Sequence, residues 1–159
     1  MSEYSSEQWE VLLTELLTRS NRPGHFSSEA GMKVTNIQRG YLEAELTATE
    51  QLCNPRGIVH GGILYTLMDH MSGVVACTTG KGCVTLSSSV NYFRPAVPGD
   101  HIVCKARVVK PGSRVTVCEA SVYSDAGKEL ARGSFTYYMT EELTETVRLC
   151  SDFTDSANK

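Results

Sequence analysis

Asp69 and the pair Gly61-Gly62 are the residues of this chain whose types and spacing could perform chemistry. An aspartate flanked by Leu67, Met68 and Met71 in an apolar helical stretch carries a desolvation cost unless it is paired or lines a cavity. It therefore reads either as a catalytic group or as an internal brace held by a salt bridge or hydrogen bonds. Two glycines at a helix start leave the first backbone N–H groups sterically open, so a ligand oxygen can approach them and share the positive end of the helix dipole. That is an oxyanion site in outline, and it is also what a tight loop entering a helix looks like. Gly61 and Asp69 stand eight residues apart, about 12 Å along a helix. If both act on one carbonyl, one chain cannot easily supply both, and a two-fold dimer with antiparallel central helices would bring Gly61 of one subunit near Asp69 of the other.

The neighbouring polar residues carry plainer readings beside functional ones. His60 precedes the glycines, where its ring can cap the helix start or meet a substrate. Asn54-Pro55 is a common turn opening. His70 points about 100° away from Asp69 on a helix, which argues against a His-Asp dyad. Six cysteines (Cys53, Cys77, Cys83, Cys104, Cys118, Cys150) contain no C-x-x-C pair and read as free thiols, Cys53 as an inert one. The four histidines lack the short spacings of a zinc site, so no metal is expected.

These residues need a scaffold, and the hydrophobic pattern supplies it. Ser5 with Gln8 three residues on, followed by Trp9, Leu12, Leu13, Leu16 and Leu17 on one face, predicts an opening helix that ends before Asn21-Arg22-Pro23-Gly24. Val34 and Ile37 belong to a first strand, and Leu42, Ala44, Leu46 and Ala48 alternate with polar residues in a second, joined to it by Arg39-Gly40. From Gly61 to Thr79 apolar side chains cover more than one stripe, which predicts a helix buried on several sides. Four alternating runs follow: Val84, Leu86, Val90; Ile102 to Val108; Thr116 to Val122; Ala131 to Met139. The turns between them, Val97-Pro98-Gly99-Asp100, Lys110-Pro111-Gly112-Ser113 and Ser124-Asp125-Ala126-Gly127, are short, which favours antiparallel neighbours. The economical packing is an α+β domain in which a curved antiparallel sheet of five or six strands wraps one long helix. Residues 1–30 then form an opening helix and loop, 31–140 the domain proper, and 141–159 a tail expected to fray.

Composition narrows the function classes. With 159 residues and 41% apolar content the chain fits a single core, and a net charge of -3 removes the footprint of a duplex-binding domain. The opening residues lack a secretory pattern and no apolar run is long enough for a bilayer, so a soluble cytoplasmic protein without nucleic-acid or membrane partners is expected.

The run Asn54-Pro55-Arg56-Gly57-Ile58-Val59-His60-Gly61-Gly62 to Asp69, followed by Val90-Asn91-Tyr92-Phe93-Arg94-Pro95-Ala96 to Asp100, resembles the hotdog-fold acyl-CoA thioesterases, in particular the phenylacetate-degradation-type, or PaaI-like, branch. The likeness covers 31–140. It implies that Asp69 is the general base or nucleophile, that the Gly61 N–H polarises the thioester carbonyl, that Asn54 and His60 position the substrate and loop, and that Thr85 helps hold water or the carboxylate. It implies that Arg94, Lys110 and Arg114 are candidates for the phosphates of coenzyme A, although each also reads as a solvated surface cation. It further implies a homodimer whose sheets join, commonly paired into a dimer of dimers, with an acyl-CoA substrate and neither metal nor separate cofactor.

Two competing classes share this fold. A non-catalytic acyl-CoA-binding module, of the kind found in hotdog regulators, would need a DNA-reading element, and the opening segment offers one amphipathic helix without a helix-turn-helix partner. A hydratase or dehydratase would pair an Asp and a His in an overhanging segment, whereas here the polar groups cluster at His60-Gly61-Gly62 and Asp69.

Overall fold

The computed structural model describes residues 4–143. Helix α1 (Ser6–Ser20) begins where the Ser5 hydroxyl accepts from the Gln8 N–H while the Gln8 side chain accepts from the Ser5 N–H, a reciprocal cap. A four-residue helix, α2 (Phe26–Glu29), interrupts the expected loop. Its shortness hides it from any periodicity. Strands β1 (Lys33–Gln38) and β2 (Tyr41–Thr47) form the anticipated hairpin, turned by Gly40 at φ 75°. Leu42, Ala44 and Leu46 are buried, while their neighbours in sequence are more exposed.

After a single 3₁₀ turn at Glu50–Leu52 the chain enters helix α3 (Gly61–Cys77), followed by β3 (Lys81–Tyr92), β4 (His101–Lys110), β5 (Val115–Ser124) and β6 (Glu129–Glu142). All strand pairings are antiparallel, in the spatial order β1-β2-β4-β5-β6-β3. Short hairpins join β4 to β5 and β5 to β6, as their turn residues suggest, but Val97-Pro98-Gly99-Asp100 does not join neighbours: β3 pairs with β6 and β4 with β2, and this turn instead bonds Ala48 through Gly99 and Asp100. The α3 helix packs against all six strands, so the sheet curves around it. Leu64, Leu67, Met68, Met71, Val75 and Ala76 sink into the core against Ile102, Cys104, Ala106, Cys118, Val122, Phe135 and Tyr137. Among the described residues no helix is long and apolar enough to cross a membrane.

Two boundaries differ from the sequence reading. The central helix stops at Cys77, two residues early, because Thr78 Oγ1 turns back onto the Val75 carbonyl and Gly80 adopts φ 97°. The segment expected to fray from Glu141 still pairs in β6 at Glu142, and Leu143 is buried. Residues 144–159 of that expected tail, and Cys150 with them, lie outside the described residues.

Strand β3 is an edge strand among the described residues, and Val84 and Leu86 do not face the core with Val90 as a simple alternation would place them. A bulge between Thr85 and Ser87 makes Leu86 the extra residue, leaving Val84 55% and Leu86 56% exposed. The inward set is Cys83, Thr85, Ser88 and Val90, opposite Met139, Tyr137, Phe135 and Gly133 of β6.

Candidate active site

Helix α3 presents a row of residues spaced by four, and such residues stand on one face of a helix. Gly61, Tyr65, Asp69, Gly73 and Cys77 make this row, and it runs alongside β3 in the opposite direction. The Tyr92 hydroxyl donates to the Gly61 carbonyl at 3.1 Å, and the Tyr65 hydroxyl meets Ser88 Oγ at 2.7 Å. Thr85 Oγ1 donates to Asp69 Oδ1 at 3.0 Å, and Cys83 Sγ reaches the Gly73 carbonyl. Polar residues of the edge strand thus answer polar positions of the helix one after another.

Asp69 is half-buried, with no cation bonded to it among the described residues. Its second support is Tyr137, whose hydroxyl is shared between the Asp69 carbonyl at 2.7 Å and Oδ1 at 3.2 Å. The phenol is almost fully buried, and that burial together with the nearby Asp69 charge raises its pKa far above the ordinary range, so it remains a donor. Both donors converge on one carboxylate oxygen. Oδ2 has no hydrogen-bond partner among the described residues. The salt-bridge form of the internal brace is therefore not what this site contains, while the hydrogen-bonded form accounts for one oxygen of the two.

Gly61 is the first residue of α3 after the cap His60. The His60 carbonyl accepts from Ile63 and Leu64, and its own N–H goes to the Leu52 carbonyl, but the ring makes no cap hydrogen bond and stands exposed. Capping by the ring is thus replaced by capping through the backbone. Gly62 has open space where a side chain would stand, whereas Gly61 has the Tyr92 ring in ordinary contact distance. Asn54 forms a tight local turn: its side-chain oxygen accepts from the Arg56 N–H and its carbonyl from Gly57, which sits at φ 74°. Gly61 lies against Tyr92 and Asp69 against Thr85, seven residues apart on β3, so one chain does not bring the two together.

The cationic candidates separate as well. Arg94 hydrogen-bonds through its backbone to Leu130 and through its guanidinium to the Glu129 carbonyl, at the start of β6. Lys110 and Arg114 lie exposed at the β4–β5 turn, where the Arg114 carbonyl accepts from Met139. Leu130 and Met139 are nine residues apart on one strand, about 30 Å at the usual rise. A shallow basin of about 250 Å³ lies on the outer face of the sheet, lined by Lys105, Arg107 and Arg132. Those cations are already paired with Glu43, Glu119 and Glu129. Among the described residues no group of three or more His, Cys, Asp and Glu side chains is placed to hold a metal ion. His70, half-buried, has its pKa lowered by burial, against the pull of the Asp69 charge, and makes no hydrogen bond to Asp69. Cys53 donates to the Thr49 carbonyl.

Sequence reasoning missed Tyr137, Tyr65, Ser88 and Tyr92. Tyr137 reads as one more apolar member of an alternating strand. Setting the four-residue row of α3 against the inward positions of β3 would have drawn attention to Ser88 and Tyr65.

A sheet curved around one long helix, with an isolated acid on that helix beside the edge strand, defines the hotdog class. Residues 56–131 match the thioesterase superfamily. Acyl-coenzyme A thioesterase 13 of Mus musculus is 30% identical over 101 residues, covering 62% of this chain and 72% of its own length. A Streptococcus mutans UA159 protein solved bound to acetyl CoA is 30% identical with a TM-score of 0.69, covering 70% of this chain and 90% of that one. The Escherichia coli PaaI protein from the phenylacetic acid degradation operon shares the fold at a TM-score of 0.75 and 19% identity, over 82% of this chain and 97% of that one. The chain belongs to the thioesterase superfamily.

Proposed function

We propose that this protein hydrolyses acyl-CoA thioesters to a free acid and coenzyme A, with Asp69 as general base or nucleophile. The observation that carries this reading is the lopsided support of Asp69: Thr85 and Tyr137 hold Oδ1, and Oδ2 is left to act. A thioester carbonyl is already electrophilic, so a carboxylate that attacks it or takes a proton from water needs only a donor for the developing oxyanion. Gly61 N–H is that donor, at the positive end of a 17-residue helix. Water then supplies hydroxide to the acyl carbon, and the sulfur leaves as the coenzyme A thiol. Tyr137 and Thr85 position the carboxylate, while Asn54 and His60 shape the loop that enters α3.

The oxyanion donor comes from a second copy of the chain. Among the described residues the 12-residue β3 has one side unpaired, and Val84 and Leu86 are exposed along it. A two-fold joining of β3 to its copy sets the strands antiparallel, so the Gly61 and Tyr92 end of one subunit comes beside the Asp69 and Thr85 stretch of the other. The same operation carries Arg94 of one subunit toward the end where Lys81 Nζ reaches the Ser113 carbonyl, next to Arg114 and Lys110. A coenzyme A phosphate site built from Arg94, Lys110 and Arg114 is therefore shared between subunits. Val84, Tyr138 and Val115 form an exposed apolar row on the outer face, the surface on which two such dimers would pair. This is a protein of the cytoplasm, where coenzyme A esters are its substrates.

The test is release of free thiol from a panel of aromatic and aliphatic acyl-CoAs. Turnover of at least one member supports the reading. Binding of acyl-CoA without turnover anywhere in the panel overturns it in favour of a binding module.

A further inference from the structure

The last two members of the α3–β3 contact are sulfur atoms. Cys77 Sγ and Cys83 Sγ stand 3.7 Å apart, both half-buried, with Cys83 also directed at the Gly73 carbonyl. The other described cysteines differ. Cys104 and Cys118 are fully buried, and burial pushes both thiols up to about 12, while Cys53 is tied to Thr49. The geometry points to Cys77 and Cys83 as a reversible redox modification site: hydrogen peroxide converts the pair to a disulfide that moves Thr85 relative to Asp69.

A disulfide needs the sulfurs about 2.05 Å apart, so the pair must close from contact distance. The connection allows it: only five residues separate the cysteines, Gly80 and Gly82 among them, and the β3–β6 register already shifts between Lys81 and Cys83. Closure draws β3 toward the end of α3. Thr85 is the next inward residue of β3 after Cys83, so the hydroxyl on Asp69 moves with it.

The chemistry balances without a metal or cofactor. The Cys83 S–H bonded to Cys77, with Arg19 nearby, lowers the Cys77 pKa and makes it the nucleophile. Its thiolate attacks one oxygen of the peroxide, the O–O bond breaks, and hydroxide leaves to take up a proton as water. Cys77 is then a sulfenic acid. The Cys83 sulfur attacks the sulfenic sulfur, the S–O bond breaks, and the oxygen departs as water with the Cys83 proton. Two thiols lose two electrons in total, and one peroxide becomes two waters.

The test treats the reduced full chain with hydrogen peroxide and maps tryptic peptides without reduction. The expected product is the peptide 57–81 joined to the peptide 82–105, a loss of 2 Da in intact mass, and fragment ions that place the bond at Cys83 rather than Cys104. Dithiothreitol should reverse it. Cys83→Ser should leave a Cys77 sulfenic acid that dimedone captures, and Cys77→Ser should leave no linked peptide. Absence of the 77–83 link in the wild-type chain, or a link made through other cysteines, overturns the proposal, and this readout stands whether or not either variant folds.

The coupling to Asp69 rests on the proposed thioesterase reading. Oxidation should lower kcat by about tenfold, as expected for a displaced catalytic contact, with recovery on reduction. A complete link that leaves kcat unchanged overturns the coupling. A reduced protein that turns over no acyl-CoA counts instead against the thioesterase reading, and the peptide map still decides the modification.

Discussion

Thr85 reaches Asp69 from a strand that, among the described residues, has a neighbour on one side only, so the residue that orients the carboxylate also sits at the rim of the sheet. Its hydroxyl is the clearer of the two donors to Oδ1, since Tyr137 divides its single proton between that oxygen and the backbone carbonyl. Thr85→Val keeps the shape and removes the donor. It should lower kcat about tenfold or more with little change in melting temperature, and Thr85→Ser should restore most of the loss. Equal kcat in wild type and Thr85→Val would contradict the positioning role.

Tyr137→Phe should show mainly in stability. The hydroxyl is buried and bonded to helix α3, and losing a buried hydrogen bond costs about 1–2 kcal/mol. Urea unfolding should give a lower midpoint with an unchanged slope.

Much of this was legible in the sequence, for physical reasons that differ by element. The Ser5 cap, the β1–β2 hairpin and the α3 core stripe are local patterns in which one face is apolar, and periodicity reports such faces directly. Asp69 stood out because a lone acid in an oily helix conflicts with its surroundings. Strand β3 is the opposite case. Its inward residues Thr85 and Ser88 are polar, its Val84 and Leu86 face outward, and the bulge that reverses the pattern leaves no mark in composition. The separation of Arg94 from Lys110 and Arg114 is set by strand order, which one sequence does not display.

The shared site has its own test. Gly61 occupies the first helical position, where proline is tolerated, and His60 has the extended conformation that a following proline demands (φ -57°, ψ 132°). Gly61→Pro therefore removes the N–H donor while sparing the helix, and it should be inactive. Mixed with Asp69→Asn after unfolding and refolding, it should recover about a quarter of wild-type activity, because half the dimers are mixed and each holds one intact site. No recovery in mixed dimers would place both groups in one chain.

His101 gives a pH dependence of stability away from the site. Hydrogen bonds to Asp125 at 2.8 Å and Glu45 at 3.3 Å raise its pKa above the ordinary 6.5. A raised folded-state value means the contribution is fully present below 6.5 and fades as pH climbs through the folded value. Exposure keeps it under about 1 kcal/mol. The melting-temperature gap between wild type and His101→Gln should be larger at pH 5.5 than at pH 9; a gap that widens with pH would contradict this assignment.

Asp69→Asn is isosteric and can still accept from Thr85 and Tyr137 through its side-chain oxygen, so it removes the charge and little else. Measured by thiol release on the best acyl-CoA of the panel, the variant should fold as wild type, keep its KM within a few-fold, and lose at least ~100-fold in kcat. Wild-type turnover from Asp69→Asn would contradict the account at its centre.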